Sequence, residues 1–81
     1  MPSKYILKFK TLGMTLTGGE WPATSNLLGV KEKATTIMVS RHITKLDDAW
    51  IEDEAGNKVA ILNMNAYRRR LVHDYEWLTM H

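Results

Sequence analysis

Five carboxylates fall within eight residues at Asp47, Asp48, Glu52, Asp53 and Glu54. Carboxylates at that density could hold a hard cation or work as an acid–base pair. The order is not that of a calcium loop, which needs Asp-x-Asp-x-Asp-Gly. In an alternating strand Glu52 and Asp53 would also point to opposite faces. The expected role is a solvated hairpin, with edge protection or attraction of a basic partner as further uses. The three histidines, His42, His73 and His81, have no paired ligand spacing, so no metal site is expected. No serine lies in a Gly-x-Ser-x-Gly elbow, and Gly18-Gly19 leads into Glu-Trp-Pro rather than a phosphate loop. No catalytic residue and no cofactor are expected, and the chain reads as a non-enzyme.

Arg68, Arg69 and Arg70 form the other conspicuous cluster, with His73, Tyr75 and Trp77 close behind. Placed on a helix, the three guanidinium groups fan over roughly 200°. They can be solvated and paired with Asp74 and Glu76. They can also contact phosphate or an acidic protein surface, beside aromatic side chains. The apolar stripe of that helix would hold Tyr67, Leu71, Tyr75 and Leu78, leaving Trp77 off the stripe. The expected partner-binding surface is therefore Arg69, Arg70, His73 and Trp77, joined by Trp21 should it prove exposed. Lys4, Lys8, Lys10 and Arg68 are the expected phosphate contacts if the partner is a nucleic acid.

The elements that must position these groups follow from periodicity. Lys4 to Leu16 alternates as one strand, with Tyr5, Leu7 and Phe9 inward, the lysines outward and Gly13 a bulge or bend. Thr17-Gly-Gly-Glu reads as turn chemistry, and residues 23–33 as a short helical turn or a loop. Ala34 to Ile43, rich in β-branched residues, reads as a second strand with Ile37 and Val39 on one face and Met38 on the other. Asp48–Asp53 and Lys58–Asn63 form a hairpin around Gly56-Asn57. The second arm is apolar on both faces, which places it centrally with a helix over one side. Asn63 or Asn65 caps the final helix. Trp50 is expected to pack against it.

The run Ala55 to Leu71 is similar to the strand and Tyr-bearing helix of small antitoxins of the Phd/YefM kind. The likeness covers less than a third of the chain, and the strand-rich first half departs from that family. No function is carried over from it.

These readings sum to a single α+β domain over residues 1–81: an antiparallel sheet of three to five strands with one C-terminal helix on one face. Dimerisation by edge pairing or through the helix face would enlarge its small core. The absence of cysteine excludes disulfides and thiolate metal sites and favours a reducing compartment. Without a signal-peptide run or a span of about twenty apolar residues, no membrane is expected and the placement is cytoplasmic. Charge is segregated. Residues 1–46 hold seven basic and two acidic side chains, residues 47–54 five acids and no base, and the remainder four bases and two acids. Opposite-sign patches suit a protein-binding module, an inhibitor or accessory regulator acting on a larger protein. The alternative is a nucleic-acid-binding regulator, transcriptional or of the phage and mobile-element kind. A net charge of +2 only weakly supports it.

Overall fold

The computed structural model describes residues 4–22, 24–41, 43, 45–68 and 75–80. Strand β1 (Lys4–Thr11) turns directly into β2 (Met14–Pro22), helix α1 (Leu27–Ser40) follows, then β3 (Leu46–Asp53), β4 (Lys58–Leu62), the short helix α2 (Met64–Arg68) and β5 (Trp77–Thr79). The five strands form one antiparallel sheet in the order β2-β1-β3-β4-β5. The α+β class and the antiparallel sheet stand as expected. The principal helix, however, lies in the middle of the chain and not at its C-terminal end.

Alternation in β1 works as the sequence suggests: Leu7 and Phe9 are buried, and the residues between them turn to the other face. Lys4–Leu16 is nevertheless two strands. Thr11 pairs with Met14 across a two-residue turn in which Leu12 (φ 52°) and Gly13 (φ 78°) both adopt positive φ. That is the type I′ geometry whose twist matches a hairpin. Gly18 and Gly19 are strand residues rather than a turn. The β1–β2 register shifts between Leu7 and Lys8. A side chain at Gly19 would meet Ile37 of α1 at 3.1 Å, so glycine there lets the helix approach.

The expected strand Ala34–Ile43 is helical as far as Ser40. Asn26 caps α1, its side-chain oxygen accepting from the Gly29 N–H at 2.6 Å. Val30, Ala34 and Met38, spaced by four, form the buried stripe. The hydroxyls of Thr35 and Thr36 donate to the carbonyls of Lys31 and Glu32 one turn back, so these β-branched residues are accommodated within the helix. The stripe joins a core with Leu7, Phe9, Ala49, Ile51, Ala60 and Leu62. Val39, expected to share a strand face with Ile37, and Leu78, expected on the apolar stripe of the last helix, are both exposed.

The β3–β4 hairpin forms as read, with Gly56 at φ 89° and β4 flanked by β3 and β5. The Asp53 carboxylate organises the turn by accepting from the backbone N–H groups of Ala55 (3.0 Å) and Asn57 (2.9 Å). The Asn57 N–H holds the Asp53 carboxyl below its usual range. The Asn57 side chain and the Ala55 and Gly56 N–H groups add to this, and desolvation opposes it. A depressed carboxyl stabilises the fold above its unfolded-state pKa and loses that contribution as pH falls through the folded-state value. The melting-temperature difference between wild type and Asp53→Asn should therefore be widest near neutral pH and close in acid. A gap that does not change with pH would show that the charge contributes nothing.

Of the two expected caps it is Asn63 that begins α2, its side-chain oxygen accepting from the N–H groups of Asn65 and Ala66. Beyond it the expectation of a long helix fails. Asn63 N–H donates to the Glu76 carbonyl, and Trp77–Thr79 pairs with Ala60–Leu62 as strand β5.

Candidate functional site

The structure takes Trp77 out of the expected binding surface. Trp77, expected off the apolar stripe of an exposed helix, is only 9% exposed. It sits on β5 opposite Leu62, and its indole N–H donates to Thr35 Oγ1 at 2.9 Å. It is a core residue, because alternation on β5 turns it toward α1. Arg69, Arg70 and His73 lie outside the described residues. Trp21 is half-buried on β2 opposite Tyr5, and Arg68 is exposed at the end of α2.

The sheet lysines do share the face away from α1, with Trp50 among them rather than under the helix. Most are already engaged. Lys4 pairs with Glu20 (3.3 Å) and Lys8 with Glu52 (2.9 Å). Lys10 is exposed in register with Asp48. The Trp50 N–H donates to Glu52, and the Lys58 ammonium stands 4.4 Å from the Trp50 ring centroid. That face is a charge-compensated lattice around Trp50 and Ile61. Among the described residues no group of three or more His, Asp or Glu side chains could hold a metal ion.

A different site emerges where the β1–β2 hairpin runs past the end of α1. A cleft of about 590 Å³ lies there, floored by Phe9, Leu12, Leu16 and Ile43 and flanked by Arg41 and Lys45. Leu12 is 70% exposed, Met14 56% and Leu16 39%, so three of the exposed large hydrophobics fall within five residues. The far wall is fixed at two points. The Thr11 hydroxyl donates to the Lys45 carbonyl, and the Tyr67 hydroxyl donates to the Ile43 carbonyl at 3.2 Å. The Arg41 guanidinium stands 5.9 Å from the Phe9 ring centroid. No carboxylate lines the cleft, and neither Arg41 nor Lys45 is ion-paired among the described residues.

None of the cleft residues was expected from sequence. One signal was available: the apolar positions change parity, from Tyr5, Leu7 and Phe9 to Leu12, Met14 and Leu16, across a run longer than most strands, with Gly13 inside the second set. No protein-family model, curated protein or solved structure matches the chain. Among the described residues no helix is long and apolar enough to cross a membrane.

Proposed function

We propose that the chain is a non-enzymatic protein-binding module, of the inhibitor or accessory-regulator kind, which seats apolar side chains of a larger protein partner in the cleft beside the β1–β2 turn. The observation that carries this reading is Leu12. A leucine in the left-handed region costs about 1–3 kcal/mol of backbone strain, and at 70% exposure its side chain recovers little of that within the monomer. Asparagine would suit the same turn position better. Leucine is therefore a poor choice for folding and a good one for contact, since exposed apolar side chains grouped beside charges mark interaction surfaces.

Leu12→Asn separates the two roles because its effects have opposite signs. It should leave the melting temperature unchanged or raise it, and should abolish capture of protein bands from a nuclease-treated lysate of the source cells. Capture that persists in the variant would remove the cleft from the interface. Recovery of nucleic acid alone, with every protein band lost after nuclease, would move the function to Lys4, Lys8, Lys10 and Arg68.

A further inference from the structure

Resting on that reading, we infer that the cleft accepts an acidic-apolar protein segment: one or two apolar side chains on the floor, with neighbouring carboxylates against Arg41 and Lys45. The argument is charge complementarity. The chain carries nine carboxylates, and among the described ones Glu20 and Glu52 are drawn to sheet lysines while Asp53 is spent on its own turn. Among the described residues no carboxylate lines the cleft and neither of its two flanking cations is ion-paired.

The two cations differ in what holds them. Arg41 is the residue that ends α1, its backbone N–H donating to the Ile37 carbonyl, and its guanidinium lies against the Phe9 ring. A guanidinium held on an aromatic face keeps its fork of donors for a carboxylate. The backbone of Lys45 is tied to Thr11, which sets the root of its side chain beside the floor. Both cations therefore start from fixed backbone points beside the apolar floor, which lowers the ordering cost of binding. A protein segment fits this better than a nucleic acid. The floor is aliphatic apart from Phe9, which is only 2% exposed and so offers no ring for a base to stack on.

The test uses a bead-displayed library of random peptides selected on the 81-residue chain, with selected peptides titrated by fluorescence anisotropy. The variants are Leu12→Asn, Arg41→Glu/Lys45→Glu and the milder Arg41→Gln/Lys45→Gln, each checked for an unchanged circular-dichroism spectrum. Selected sequences should combine Leu, Ile, Met or Phe with Asp or Glu. Charge reversal should weaken them by about tenfold or more and neutralisation by less, with affinity falling as salt is raised. Peptides that lack acids, or acidic peptides indifferent to both charge variants, would overturn the acidic partner while leaving the cleft as a binding site. Peptides indifferent to Leu12→Asn as well would overturn both. Sedimentation with phosphatidylglycerol vesicles that is lost in Leu12→Asn, with no peptide selected, would assign the surface to a membrane and also overturn the inference.

Discussion

Trp77→Ala should destabilise the fold by about 3–5 kcal/mol, which for a chain of this length is a large part of the total. The indole closes the sheet on its β5 side against α1, and its N–H is matched to Thr35 Oγ1. Alanine leaves a cavity, removes that hydrogen bond and deprives the three-residue β5 of its only buried side chain. Trp77→Phe should cost less, about 1–2 kcal/mol, because most of the volume remains and chiefly the N–H is lost. Urea unfolding followed by far-UV circular dichroism gives both values. A Trp77→Ala midpoint equal to that of wild type would mean that Trp77 is not in the core and that β5 is misplaced.

A second large effect separates two adjacent residues. Met38→Ala should cost about 2–5 kcal/mol, while Val39→Ala should change stability by no more than about 0.5 kcal/mol. Met38 is fully buried and Val39 is 42% exposed, as the helical spacing Val30-Ala34-Met38 requires. In a strand with Ile37 and Val39 inward the order would reverse. Alanine also has the better helix propensity, which offsets what little burial Val39 loses. Chemical denaturation of the two variants side by side decides between helix and strand for this segment. Equal losses would contradict the placement of α1 on the sheet.

Local patterns were reliable where a single interaction range decided the outcome. The inward set Leu7 and Phe9, the turn around Gly56-Asn57 and the Asn63 cap rest on neighbours within a few residues, and all three are legible before any tertiary contact is known. Both ends of α1 were harder. Thr35, Thr36, Ile37 and Val39 carry a β preference worth only about 1 kcal/mol on its scale. Burial of Val30, Ala34 and Met38 against the sheet outweighs that and selects the helix. Near the C-terminus a helical stripe through Tyr67, Tyr75 and Leu78 was present in the sequence. It yielded because the outer backbone groups of β4 need hydrogen-bond partners, which Trp77–Thr79 supplies.

The cleft could not be read in advance for the same reason. Phe9 and Leu16 are far along the chain from Arg41 and Ile43, and the two pairs meet only because the hairpin turns at Leu12-Gly13 and carries its tip past the end of α1. Composition, charge segregation, the absence of cysteine and the β3–β4 hairpin belong to the amino-acid order itself, since each depends on residue identity or on short-range backbone preference. Which tryptophan is buried, which segment becomes the long helix and where apolar side chains are left uncovered were settled by packing. Those outcomes depend on which surfaces meet across the sheet, and spacing along the chain carries no record of that.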